Sequence, residues 1–169
     1  IVSDFLAGVL ILFDNQYTIG DWVIIDGFQG EVSSFGLMTT KIKAFTGEVL
    51  IIRNSSFKKI INYSLHNCKL FININVSYDT NIDLLEKTLD EMKDDVLKID
   101  GITGTQYQLL GINEFADSSI KYLVAIECKW DKQYAVKRAF NKILKQHLDV
   151  AKIVIPYNQL DVHIGGKDE

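Results

Sequence analysis

The second half of the chain takes its fold from residues 70–76, which read LFININV. Leucine, isoleucine and valine alternate there with phenylalanine and asparagine, and successive side chains of a β-strand point to opposite faces. One face of this strand is therefore predicted to be buried. Residues 82–96 follow with apolar side chains at spacings of three and four, which predicts a helix. Thr80 and Asp83 form a capping-box pattern at its start.

Three more strands and a second helix are predicted beyond this point. Alternating residues predict strands over 105–112 and 120–130, and a helix is predicted from Lys132 to His147. Another short strand is predicted to end at Pro156, because proline has no N–H to donate. The order β-α-β-β-α-β is ferredoxin-like, a scaffold that hosts too many functions to identify one.

One further alternating segment follows that proline. Residues 160–164, which read LDVHI, predict a strand close to the end of the sequence. The backbone of such a strand needs hydrogen-bonding partners. We expect these partners either in the same domain or in another copy of the chain.

The first half of the chain has short β segments separated by glycine-containing turns. Strands are predicted over residues 17–19, 22–25, 29–36, 37–43 and 48–52. Five strands in so short a region predict a small barrel or a rolled sheet. The chain as a whole is therefore predicted to belong to the α+β class.

An uncharged apolar segment runs from Phe5 to Phe13. As a helix it would rise about 14 Å, roughly half of the hydrocarbon core of a bilayer, so it cannot span a membrane alone. It has neither the basic residues nor the cleavage site of a signal peptide. Taken by itself, the segment is typical of a core strand or a short buried helix. Ala7 and Gly8 would let two helices approach closely.

The composition argues against several classes of function. A formal net charge of −4 disfavours binding to nucleic acid, which needs clustered lysine and arginine. Cys68 and Cys128 belong to no C-x-x-C motif, so we expect two buried thiols rather than a disulfide framework or a zinc site. The three histidines are scattered, and the sequence has no catalytic or dinucleotide-binding motif. We therefore predict no enzymatic activity, no cofactor and no metal.

Several short motifs, in the right order, resemble the bacterial small-conductance mechanosensitive channel family, MscS. Residues 6–10 (LAGVL) resemble the second half of the kinked pore-lining helix, and residues 19–23 (IGDWV) resemble the G-D-x-V motif that opens the β domain. Residues 30–32 (GEV) and 39–42 (TTKI) are similar to the G-x-V and T-x-hydrophobic strands of the family. Residues 52–55 (IRNS) stand where the family usually has I-P-N-[SG].

Three residues depart from the pattern of the family. Arg53 replaces a proline, Thr46 stands where an aspartate is commoner before Gly47, and Asn158 replaces a second proline after Tyr157. Each departure falls in a turn.

The resemblance covers essentially the whole chain and implies four segments. These are the end of the pore-lining helix (1–14), a small Sm-like β domain (15–66), a ferredoxin-like α/β domain (67–157), and a C-terminal strand and tail (158–169). It also implies roles for two pairs of residues. Ala7 and Gly8 would pack helices near the pore, whereas Leu160 and Val162 would lie in a barrel built from copies of this strand around the rotation axis.

The resemblance further implies a homoheptamer in the bacterial inner membrane, anchored by helices that would precede Ile1. This region would form a hollow cage on the cytoplasmic side, and ions and small osmolytes would pass through its side portals. Membrane tension during hypo-osmotic shock would open the pore, with no catalytic residue and no cofactor. The alternative is a soluble module that binds a ligand or a partner protein. An enzyme whose site forms across subunits is the third hypothesis.

Overall fold

The computed structural model of the chain describes residues 2–158. The chain divides into two compact units: the first contains the residues up to Cys68 together with Lys129–Lys132, and the second contains Lys69–Cys128 and the residues from Gln133 onward. The predicted strand with Leu160 and Val162 lies outside the described residues. Among residues 2–158, no helix has both the length and the hydrophobicity needed to cross a bilayer.

The first unit is a helix followed by a five-stranded antiparallel sheet. Its elements are α1 (Val2–Asp14), β1 (Trp22–Ile25), β2 (Phe28–Phe35), β3 (Thr39–Lys43), β4 (Val49–Arg53) and β5 (Ile60–Asn62). The strands are ordered β4-β3-β2-β1-β5, and each neighbouring pair is antiparallel. The sheet therefore has two edges, β4 and β5, and the described residues do not close it into a barrel.

The hairpin between β1 and β2 shows how local sequence directs this sheet. Ile25 pairs with Phe28, so the loop contains only Asp26 and Gly27. Both have positive φ, 49° and 84°. A two-residue loop of this kind matches the twist of antiparallel strands, and aspartate followed by glycine is a favoured sequence for it.

The strand predicted over residues 17–19 is wrong. Thr18 closes a turn instead, because the Asp21 side chain accepts from its N–H at 3.0 Å and the Asp21 N–H donates back to its carbonyl at 3.1 Å. The fifth strand of the sheet is β5, which pairs with β1. Side-chain hydrogen bonding by aspartate thus replaces the extended conformation that the apolar pattern indicated.

The second unit combines a three-stranded sheet with helices. Its elements are β6 (Cys68–Val76), α2 (Ile82–Glu91), α3 (Lys93–Leu97), β7 (Ile102–Ala116), β8 (Ser119–Cys128) and α4 (Gln133–Val150). The strands are ordered β6-β8-β7. Since β8 lies between β6 and β7, the helices α2 and α3 connect two strands that are not neighbours, which is a split β-α-β unit.

The strand predicted before Pro156 is absent from the described residues. The Ile153 N–H donates to the Leu148 carbonyl at 2.9 Å, and Lys152 has a φ of 57°. A left-handed residue followed by a donor that bonds back into the helix is typical of a helix end. The residues at the start of the predicted strand therefore form the C-terminal end of α4.

Several predicted boundaries also differ from the observed ones, and the helix predicted over 82–96 is divided into α2 and α3. The capping residue of α2 is Asn81 rather than Thr80: the Asn81 side chain accepts from the Leu84 N–H at 3.2 Å, while the Thr80 N–H closes a preceding turn. The strand predicted to reach Trp130 ends at Cys128, because a short 3-10 turn begins at Trp130.

The helices of the second unit pack on one face of its sheet. The predicted apolar stripe is confirmed as core in four of its positions, Leu85, Leu89, Met92 and Val96, which are all fully buried. Two tyrosines tie the sheet to α2. Tyr107 donates to the Leu89 carbonyl at 2.9 Å, and Tyr122 donates to Glu86 at 2.7 Å. Burial and the Glu86 carboxylate raise the pKa of Tyr122 to about 12, so its hydroxyl stays a donor at neutral pH.

Leu89→Ala tests this core against a matched change on the same helix. Leu89 is 0% exposed and Leu84 is 44% exposed. We expect Leu89→Ala to lower the free energy of unfolding by about 2–5 kcal/mol, because it leaves a cavity as well as removing buried apolar atoms. Leu84→Ala should cost less than about 1 kcal/mol. Urea denaturation followed by circular dichroism checks both, and equal losses would contradict the assignment.

Candidate functional site

The candidate site is the contact between α1 and the sheet of the first unit. The helix buries three residues, Asp4, Gly8 and Ile11, which recur at spacings of four and three along one side. Ile11 joins the core cluster that includes Val23, Val32 and other sheet residues. Large apolar residues on the rest of α1 are exposed: Val2, Phe5, Leu6, Leu10, Leu12 and Phe13. The segment is thus a docked helix rather than the core strand or buried helix that it resembles in isolation.

Gly8 marks the closest approach between α1 and the rest of the first unit. A Cβ atom at this position would lie 2.4 Å from the Leu37 carbonyl oxygen and 2.8 Å from Asn54 Nδ2. Distances this short leave no room for any side chain, so glycine alone fits the observed packing. The sequence predicted a role for Gly8 in packing between helices. Within this chain it packs against the loop after β2 and the residue after β4, and contact with a neighbouring copy stays a prediction.

Ala7 lies beside this contact but does not make it. It is half-buried and, with Leu10 and Ile11, lines a cavity of about 230 Å³ that Lys58 and Lys59 also line. Its predicted role in helix packing near a pore also stays a prediction.

Asp4 anchors the first turn of α1. Asp4 is 7% exposed, and the Ser55 hydroxyl donates a hydrogen bond to Asp4 Oδ1. This bond lowers the pKa of Asp4 from its ordinary value. A buried carboxylate is costly unless it is hydrogen-bonded, so the pair fixes the start of the helix over the end of β4.

Asn54 is the residue on which these contacts converge. It is 3% exposed, and its backbone N–H donates to the Met38 carbonyl at 2.9 Å. Its Nδ2 donates to the Gly36 carbonyl at 2.9 Å, while its Oδ1 accepts from Thr40 at 2.8 Å. Asn54 therefore holds the loop between β2 and β3 in the position that Gly8 contacts. We call the set Asp4, Gly8, Leu37, Asn54 and Ser55 the α1 junction.

The roles of Asn54 and Ser55 were not predicted from the sequence, although both belong to the motif at residues 52–55. The signal in the sequence was an amide and a hydroxyl side chain directly after the apolar segment that forms β4. Arg53, which departs from the usual proline, is the last residue of β4 and takes part in the turn that follows. Its carbonyl accepts from both the N–H and the hydroxyl of Ser56, at 3.0 Å and 2.7 Å.

An aromatic cluster forms a second feature of the first unit. The ring of Trp130 lies 4.8 Å from Tyr63 and 5.3 Å from Trp22, and Trp22 also stacks on Phe45 at 4.1 Å. This stacking holds the short segment Lys129–Lys132 against the first unit. Since the chain has only two tryptophans, both report on this unit.

The remaining candidate groups are the histidine, cysteine and carboxylate side chains. Among the described residues, no group of three or more His, Cys, Asp or Glu side chains is placed to hold a metal ion. His147 contacts Asp95 at 3.3 Å, and His163 lies outside the described residues. Lys98 and then His147 lower the pKa of Asp95, which is typical of an exposed ion-pair cluster.

Two domain models of one family match this chain. Residues 1–65 match the β domain of mechanosensitive ion channels, and residues 71–155 match the C-terminal region of the mechanosensitive ion channel MscS. The chain belongs to the MscS family of mechanosensitive ion channels. This is a family of channels and not of enzymes.

Curated relatives support the same conclusion. The small-conductance mechanosensitive channel of Caldanaerobacter subterraneus subsp. tengcongensis is 30% identical over 99% of this chain, which spans 59% of that protein. The small-conductance mechanosensitive channel of Helicobacter pylori strain UM084 is 27% identical over 99% of this chain, which spans 61% of that protein. The chain thus corresponds to about three fifths of these MscS relatives.

Solved structures share the fold of this MscS-family chain. The crystal structure of Helicobacter pylori MscS in its closed state aligns with a TM-score of 0.78 and 23% identity, over 98% of this chain and 66% of that chain. The cryo-EM structure of Arabidopsis thaliana MSL1 A320V aligns with a TM-score of 0.67 and 15% identity, over 94% of this chain and 62% of that chain. The predicted α+β fold class is therefore confirmed.

Gly8→Ala tests the close contact at the α1 junction. In an isolated helix, replacing glycine by alanine stabilises the helix by about 1 kcal/mol. Here we expect a net loss of about 1–3 kcal/mol, because the added methyl overlaps the Leu37 carbonyl. Urea unfolding followed by tryptophan fluorescence measures the loss.

Gly36→Ala is the matched control for this change. A Cβ at Gly36 would lie 3.5 Å from the Thr39 carbonyl, which is an ordinary contact, and we expect it to leave the urea midpoint nearly unchanged. A Gly8→Ala protein that is more stable than the parent would show that α1 does not dock as described.

Proposed function

We propose that this chain is part of a mechanosensitive ion channel that opens under membrane tension and releases ions and small osmolytes in hypo-osmotic shock. Membership of the MscS family supports this function, and so does the fold shared with MscS structures. The observation that carries the proposal furthest is that α1 exposes large apolar residues on one side and packs closely on the sheet with the other.

The outer surface of α1 is unusual for a helix in water. Phe5, Leu6 and Leu10 are each about half exposed, and no charged residue lies between Asp4 and Asp14. Exposed apolar surfaces of this kind mark contacts with other proteins or with a membrane. A pore-lining helix that leaves the membrane beside its neighbours would bury this surface.

The inner surface of α1 provides a way to pass force to the sheet. Gly8 brings the helix backbone onto the loop held by Asn54, and the Asp4–Ser55 hydrogen bond secures the first turn. Close packing of this kind has few alternative arrangements, so a shift of the helix must either move the sheet or break the contacts. Tension would favour an open state of larger area, and the α1 junction would bias the balance between states.

The complete channel would be a homo-oligomer, and we propose a heptamer in the bacterial inner membrane with this region on the cytoplasmic side. The four segments would be the end of the pore-lining helix (1–14), the β domain (15–66), the α/β domain (67–157) and the C-terminal strand and tail (158–169). Leu160 and Val162 would lie in the barrel formed by copies of that strand.

Patch-clamp recording tests the channel function. The full-length protein would be expressed in a bacterial host that lacks its own tension-gated channels, and suction would be applied to membrane patches. We expect stepwise currents that appear only under tension. Silence up to membrane rupture, with the protein shown to be in the membrane, would reject the proposal and favour a binding module.

Gly8→Leu tests whether the α1 junction takes part in gating. The leucine side chain cannot fit against Leu37 and Asn54, so we expect the tension at half-maximal opening to change. Gly36→Ala, which adds an ordinary contact near the same loop, should leave that tension as in the parent. An unchanged gating tension in Gly8→Leu would argue against a role of this packing in gating.

A further inference from the structure

A chain of three hydrogen bonds crosses the interior of the first unit. The Tyr17 hydroxyl lies 2.7 Å from Thr40 Oγ1, and the Thr40 hydroxyl donates to Asn54 Oδ1 at 2.8 Å. Asn54 Nδ2 then donates to the Gly36 carbonyl at 2.9 Å. The three side chains are 3%, 0% and 3% exposed. They come from the loop after α1, from β3 and from the residue after β4.

Only one direction of donation satisfies all of these groups. The Gly36 carbonyl can only accept, so the amide nitrogen of Asn54 must face it and Oδ1 must accept on the other side. Thr40 has a single hydroxyl proton, which it gives to Asn54. Tyr17 must therefore donate to Thr40. Burial raises the pKa of Tyr17, so its hydroxyl keeps the proton that this arrangement needs.

The fixed direction determines which atom of Asn54 faces α1. Asn54 Nδ2 is the atom that a side chain at Gly8 would meet at 2.8 Å. If the Asn54 amide were rotated by 180°, Oδ1 would face the Gly36 carbonyl oxygen. Nδ2 would then face the Thr40 hydroxyl, which would no longer have Asn54 Oδ1 as its acceptor. Two buried acceptors would then oppose each other, which is unfavourable.

We propose that Tyr17 and Thr40 are positioning residues for α1. Through the relay Tyr17–Thr40–Asn54 they hold the Asn54 amide in the one orientation that keeps the loop at Gly36 and Leu37 in place for Gly8. Tyr17 also lies just after the end of α1, so the relay secures that end of the helix as well. The consequence for gating rests on the proposed function, whereas the effect on docking does not.

Packing alone is the competing explanation. The Tyr17 ring meets Phe35 edge-on at 5.6 Å, and Tyr17 belongs to the core cluster of the first unit. Substitutions that keep shape but remove a hydroxyl separate the two explanations. Tyr17→Phe keeps the ring, Thr40→Val keeps the volume without a donor, and Thr40→Ser keeps the donor without the methyl group.

Hydrogen exchange measured by mass spectrometry on the protein in lipid nanodiscs reads out the docking of α1. We expect Thr40→Val to speed the exchange of α1 amides about tenfold relative to the parent, which corresponds to about 1.4 kcal/mol. Thr40→Ser should retain parental exchange. Tyr17→Phe should give a smaller increase, because Thr40 still has its proton for Asn54. Exchange in the second unit serves as the internal control and should not change.

Two results would overturn the relay. One is exchange of α1 in Thr40→Val that matches the parent within twofold. The other is equal acceleration in Thr40→Ser and Thr40→Val, which would show that the methyl group matters rather than the hydroxyl. If Thr40→Val does not fold, Tyr17→Phe decides the question, and parental exchange in that variant rejects the proposal.

Gating measured on the same variants connects the relay to the channel. We expect the gating tension to shift in Thr40→Val and to return to the parental value in Thr40→Ser. A parent protein that passes no current would reject the proposed function, while the exchange data would still decide the relay. If the parent conducts and Thr40→Val has the same gating tension, the relay affects only the docking of α1, and its proposed role in gating is rejected.

Discussion

The missing side chain at Gly8 is the constraint on which the first unit depends. It allows the backbone of α1 to lie against the Leu37 carbonyl and the Asn54 amide, where any Cβ would overlap. Once the helix is this close, Ile11 enters the core and Asp4 reaches the Ser55 hydroxyl. The helix is thus held by sterics and polar contacts together. Neither its length nor its apolar composition would specify the same orientation.

Buried polar groups give this docking its specificity. An apolar interface tolerates small rotations and slips, whereas a satisfied hydrogen-bond network admits few alternatives, because each buried donor or acceptor left without a partner is costly. Asn54 uses its backbone N–H and both ends of its amide, and Asp4 uses its carboxylate. If α1 passes force to the sheet, as proposed, it would need a docking position as well defined as this one. The large apolar residues on the other side of the helix are exposed.

The sequence predicted those elements in which burial decides the conformation. The alternation in residues 70–76 and the stripe through Leu85 and Leu89 correspond to observed core positions, since the hydrophobic effect acts on the same periodicity that the sequence displays. The predictions failed where a polar or backbone group controls the chain, as at Asp21 and Ile153. The α1 junction was missed because Asn54 finds its partners in distant parts of the sequence, which periodicity does not reveal.

A double-mutant cycle on Asp4 and Ser55 tests most directly whether the α1 junction transmits tension. Their side chains share one hydrogen bond between the helix and the end of β4. The tension at half-maximal opening would be measured for Asp4→Ala, Ser55→Ala and the double variant in patches of the same membrane. We expect each single change to shift this tension and the double change to shift it no further than the larger single effect. Additive shifts, or no shift in any variant, would contradict it.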